Sequence, residues 1–127
     1  NKALIGIVFF SSLVFILYNL IGETIFTYFF GEIILQYSSE LDYIFLCLPG
    51  FLIYSVARSF NDAVYNAPVN LVTLIFSLAI CIVVYALVLP EAMLASDRIG
   101  FAMIASISCL GMLSWILVLI SKSNQLM

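Results

Sequence analysis

The sequence has no histidine, and only four of its residues are lysine or arginine. Without histidine there is no imidazole to move protons near neutral pH and no His-ligated metal centre. The three cysteines, Cys47, Cys81 and Cys109, have no paired spacing and read as small apolar packing residues. No glycine-rich phosphate loop and no serine nucleophile elbow occurs, so nothing argues for an enzyme, and no cofactor, metal or nucleic-acid partner is expected. Charge of either sign is scarce: charged residues make up 9% of the chain, against about a quarter in soluble domains.

What the chain has instead is apolar side chains, 65% of its 127 residues. A water-soluble fold of this size buries too small a fraction of its surface to hide so much. The solvent is therefore lipid. Between Lys2 and Glu23 lie 20 uncharged residues, between Asp42 and Arg58 15, between Asp62 and Glu91 28, and between Arg98 and Lys122 23. A bilayer core needs about twenty apolar residues per helix, and lipid demands that backbone groups pair within the segment. The expectation is an all-α membrane protein, a single domain over 1–127 with four transmembrane helices near 3–29, 40–64, 69–89 and 98–121. The second reaches full length only by carrying Arg58 in its last turns. The first is too long for a signal-peptide core and lacks a small-residue cleavage site. A start at Asn1 rather than Met suggests part of a longer chain.

Loop chemistry fits these limits. Gly31 suits a helix C-terminus, Ser39 and Asp42 resemble a capping box, and Glu32–Ser39 reads as a short interfacial turn. Pro68 and Pro90 close the second and third connections, since residues before proline avoid helical geometry. Lys2, Arg58 and Lys122 share one side, whereas Glu32, Glu40, Asp42, Glu91 and Asp97 share the other with Arg98. The positive-inside rule then puts both ends in the cytoplasm.

Few polar features lie within the spans. Glu23 sits about two turns below the outer end of the first helix, and intramembrane carboxylates are candidate proton or cation sites. The alternative is a carboxylate reaching headgroups or a water-filled cleft. Arg58 has two readings as well: a side chain snorkelling to the inner surface with Asp62 as its i,i+4 partner, or a guanidinium contacting phosphate. Pro49 and Gly50 are candidate kink residues inside helix two, as in the broken helices of transporters, or a fixed packing bend. Gly100, Ala102, Ala105, Ser106, Ser108, Cys109 and Gly111 let another helix approach the fourth, and within-chain packing is the simpler reading.

Taken together, ETIFTYFFGEIILQYSSELDYIFLCLPG (23–50), LIYSVARSFNDAVYNAPVNLVTLIF (52–76), VVYALVLPEAMLASDRIGFAMIASIS (83–108) and the closing SKSN (121–124) resemble the C-terminal portion of bacterial polysaccharide flippases. These belong to the multidrug/oligosaccharidyl-lipid/polysaccharide exporter superfamily. Met103-Ile104 is bulkier than the family's usual start of the last helix. The resemblance implies part of the second lobe of a V-shaped inner-membrane transporter moving undecaprenyl-diphosphate-linked oligosaccharide by alternating access. Its partners would be membrane lipid, that lipid-linked oligosaccharide and the missing N-terminal lobe of the same chain. Arg58 would then contact substrate and Glu23 would couple to an ion. Two rivals stand beside it: a small four-helix multidrug transporter using Glu23, disfavoured by the lack of evident aromatic residues around it, and a non-transporting scaffold subunit. Replacing Arg58 with Lys is expected to preserve topology under either role, and to weaken export, measured in cells, only if the guanidinium touches phosphate.

Overall fold

The structure, a computed structural model, describes residues 2–66 and 68–126; Ala67 of the second connection lies outside the described residues. Four helices are long and apolar enough to cross a membrane: α1 (Lys2–Phe30), α2 (Glu32–Val64), α3 (Val69–Val88) and α4 (Ala95–Leu126). The chain is thus an all-α, multi-pass membrane protein. The limits follow local chemistry. Gly31 stops α1 with a positive φ of 77° and donates its N–H to the Thr27 carbonyl at 2.9 Å, a conformation that costs glycine little. The expected interfacial turn is a 3-10 segment, Glu32–Tyr37, which runs directly into the α-helical part of α2 at Ser38. The expected capping box does not form there. Helical backbone already precedes Ser38 and supplies carbonyl partners, so Ser39 Oγ is left to donate to the neighbouring Glu40 carboxylate at 2.9 Å. Leu89, extended before Pro90, ends α3.

Two turns are π-helical, Tyr18–Gly22 in α1 and Val84–Val88 at the end of α3. In the first, the Tyr18 ring lies across Gly22: a Cβ on Gly22 would meet Tyr18 Cδ2 at 2.5 Å.

The core is the seam between α2 and α4. Tyr43 bonds Asp97, Gly50 faces Gly111 and Tyr65 bonds the Leu117 carbonyl, so the two helices run side by side in the same direction. Their backbones nearly touch midway. A Cβ on Gly50 would lie 2.7 Å from the Ile107 carbonyl oxygen, and one on Gly111 would lie 2.6 Å from the Gly50 oxygen. Where helices lack a hydrophobic drive to associate, as in lipid, such close van der Waals contact holds them together. From Ala102 the buried face of α4 repeats every three or four residues through Ser106, Leu110, Ser114, Val118 and Ser121, with Gly100 and Gly111 beside it, which is the within-chain packing expected of its small residues. Near the acidic end, Gly100 leaves room for the Tyr43 ring, whose hydroxyl donates to Asp97 at 2.8 Å.

Helix α3 lies antiparallel against the other flank of α4. Ser77 Oγ donates to the Ser106 carbonyl at 2.7 Å, and Arg98 Nη2 donates to the Tyr85 carbonyl at 2.6 Å while stacking on the Tyr85 ring. That carbonyl lies at the C-terminal, negative end of α3, where a cation is favoured. Helix α1 packs only on α2 among the described residues, and only Ser11 and Gly22 of it are buried. In space the order is α1–α2–α4–α3. The interior is small and polar and the exterior is Leu, Ile, Phe and Val, the reverse of a soluble domain.

Replacing Gly111 or Gly50 with Val should destabilise the fold by about 1–3 kcal/mol, because the nearest atoms are backbone and cannot step aside. Gly6→Ala, with nothing near its Cβ, should be neutral. Equilibrium unfolding of the three variants in mixed micelles measures the difference.

Candidate functional site

A polar cleft opens between α1 and the start of α2. Tyr18, Asn19, Glu23 and Phe26 line it from α1, and Ser38 and Asp42 from α2, around a volume of about 260 Å³. Glu23, Asn19 and Asp42 are exposed to it. Phe30 closes α1 seven residues beyond Glu23, so the carboxylate lies about 10 Å inside the helix end. The Tyr18 hydroxyl lies beside Asp42, which joins that carboxylate to the polar lining at the π-helical turn.

The π-turn is what brings these groups together. In a regular α-helix, Tyr18 and Glu23 would point about 140° apart. An i→i+5 turn takes up the extra residue, and both side chains line the same cleft. Asn19 Nδ2 donates back to the Phe15 carbonyl at 2.8 Å. Beneath, Tyr18 stacks on Phe45 of α2 with centroids 4.1 Å apart, and Phe26 meets both rings edge-on at 6.2 and 6.4 Å. The aromatic neighbours that the sequence did not reveal around Glu23 are therefore present. They are Tyr18 and Phe26; Tyr18 was hidden because it comes from across the π-turn, and Phe45 of another helix stacks on it.

No cation neutralises this cleft from within the described residues, in which Arg58 and Asp62 form the one ion pair. Carboxylates within membrane-spanning helices are costly against hydrocarbon and are stable only beside water, a bound cation or further protein. The chemistry on offer is capture of a proton or a cation. Asp42 was missed by sequence reading because its position among the loop acids made it look like a surface charge. The signal that could have found it is Ser38–Asp42, an i,i+4 polar pair facing α1.

The other site residues fall elsewhere. Arg58 lies at the far end of α2 with its side chain 60% exposed, 3.6 Å from Asp62 Oδ2. A pair so open to solvent contributes little stability. Asn70 of α3 also donates to Asp62 and, at 3.4 Å, to the Arg58 carbonyl, so the pair is tied into the α2–α3 connection. Arg58 and Glu23 are not brought together. Pro49 and Gly50 lie inside an uninterrupted helix, Ser38–Val64. Pro49 has no N–H for the Phe45 carbonyl and borders a mainly apolar pocket with Ser11, Ser12 and Phe15 of α1. Gly50 presses on α4. The two neighbours thus serve opposite faces of α2.

No protein-family model matches the sequence, and no curated protein or solved structure matches it either.

Water access separates Glu23 from the lipid-facing wall beside it. In a background without native cysteines, Glu23→Cys should react with a water-soluble maleimide, whereas Leu20→Cys, at a position 72% exposed on the same helix, should not. Absence of labelling at both positions, read by mass spectrometry, would place the cleft in lipid.

Proposed function

We propose that the chain is part of a secondary membrane transporter in which the cleft between α1 and α2 is the cation- or proton-coupling site. One observation carries this reading: Glu23 and Asp42, both without a cationic partner among the described residues, converge within a membrane-spanning segment. A carboxylate pair that takes up a proton or cation on one side and releases it on the other is the ordinary means of driving such transport. The resemblance in sequence supplies the cargo, an undecaprenyl-diphosphate-linked oligosaccharide moved across the bacterial inner membrane by alternating access, with both ends of the segment cytoplasmic. In this reading α1 flanks the moving boundary of the second lobe, since α2 is its single partner helix among the described residues. Arg58, on the opposite side of the membrane from the cleft, is the candidate phosphate contact at the cytoplasmic entry.

A second reading, a small multidrug transporter, gains from the two rings that share the cleft with Glu23. Carboxylates beside Tyr18 and Phe26 would suit an organic cation.

The test uses the complete native polypeptide in proteoliposomes. Glu23→Gln and Asp42→Asn should each abolish coupled movement of a fluorescent lipid-diphosphate oligosaccharide while leaving membrane insertion intact. Full transport in both variants would remove the coupling role and favour a scaffold subunit. Uptake of tetraphenylphosphonium in place of the oligosaccharide would favour the multidrug reading.

A further inference from the structure

The packed interior of α2, α3 and α4 offers more hydrogen-bonding capacity than its side chains use. Asn61 of α2 and Ser114 of α4 are the most deeply enclosed polar side chains, 1% and 0% exposed. Asn61 Nδ2 donates to the Ser114 carbonyl at 3.2 Å, which fixes the amide's orientation. Its Oδ1 then has no donor, and Ser114 Oγ has no partner either. On α3, Asn70 repeats the pattern: its Nδ2 serves the Arg58 carbonyl and Asp62, and its Oδ1 is buried without a donor. The Tyr54 hydroxyl of α2 is likewise buried without a partner, whereas Ser77 is paired with the Ser106 carbonyl and Thr73 with the Asn70 carbonyl.

Buried polar groups in a stable fold find partners, and lipid offers none. Turning the Asn61 amide over gives no relief, because Oδ1 would then face the Ser114 carbonyl, acceptor against acceptor. What the pair calls for is a small neutral molecule that can accept from a hydroxyl and donate to an amide oxygen. The nearest charged side chains along α2, Arg58 and Asp62, offset one another, so the site carries no net charge that would demand an ion.

We propose that one water molecule is bound between Asn61 of α2 and Ser114 of α4, accepting from the Ser114 hydroxyl and donating to Asn61 Oδ1. It is a structural element of the membrane interior, separate from the cleft between α1 and α2. Both orphaned atoms belong to one residue pair already joined through the Ser114 carbonyl, and a bridging water would satisfy both.

Crystals of the native protein grown in a lipidic phase, at a resolution that shows ordered water, should contain a peak within hydrogen-bond reach of both Asn61 Oδ1 and Ser114 Oγ. A Ser114 hydroxyl rotated onto Asn61 or onto the Leu110 carbonyl, with no peak between, would overturn the proposal. A second measurement is independent of crystals. X-ray radiolysis of the protein in nanodiscs generates hydroxyl radicals from bound water and should oxidise buried Leu110 and Val118, with labelling reduced severalfold by Ser114→Ala. Equal labelling of the native protein and the variant would overturn it too.

Discussion

The architecture rests on two glycines from different helices meeting where α2 and α4 cross. Gly50 and Gly111 bring the backbones so near that either Cβ would collide with a carbonyl oxygen. Van der Waals attraction falls steeply with distance, and in lipid it has no hydrophobic term to assist it. The parallel pairing of α2 and α4 therefore depends on this one approach more than on any polar bond. Once it is made, Tyr43 reaches Asp97 at one end and Asn61 and Tyr65 reach the α4 carbonyls toward the other. Each such bond adds on average about 0.6 kcal/mol in a bilayer, enough to set register but too little to assemble the helices.

The distribution of side chains follows from the same solvent. Serine, asparagine, threonine and glycine occupy the inside because they pack closely and can bond across helices, and because hydrocarbon is a poor place for them. Large apolar residues lose nothing by facing lipid. Against that background the acidic cleft is the exception. Arg98 shows how the fold treats a charge it means to shelter: a carbonyl at a helix end and a ring face. Glu23 and Asp42 have a tyrosine hydroxyl and two rings beside them but no countercharge among the described residues.

The four helices were legible because uncharged runs of membrane length have one stable form in lipid, and the helix limits fell at Gly31, Pro68 and Pro90, whose backbone chemistry is local. The small-residue face of α4 was legible for the same reason, since helical period is a property of the segment itself. The cleft was legible only in part. Glu23 stood out as an acid in an apolar run, but its companions depend on a π-turn, and no pattern of side chains in YNLIG (18–22) marks one. Asp42 was masked by neighbouring loop acids, and the failed capping box by a 3-10 segment that enters the helix without a break. The sequence set Arg98 among the outer acids but could not show its partner, a backbone carbonyl on another helix.

The order α1–α2–α4–α3 has a consequence for how the protein is made. Helix α2 finds its main partner not in the next helix but in the one after, so its interface stays unfilled while some fifty residues more are synthesised. During that interval Asn61, Tyr54 and the bare backbone at Gly50 lie against lipid or against whatever shelters them, at a cost the finished protein does not bear. Insertion of α2 thus precedes its stabilisation. Assembly is a waiting problem, with α4 arriving last to complete a site that α2 has held open.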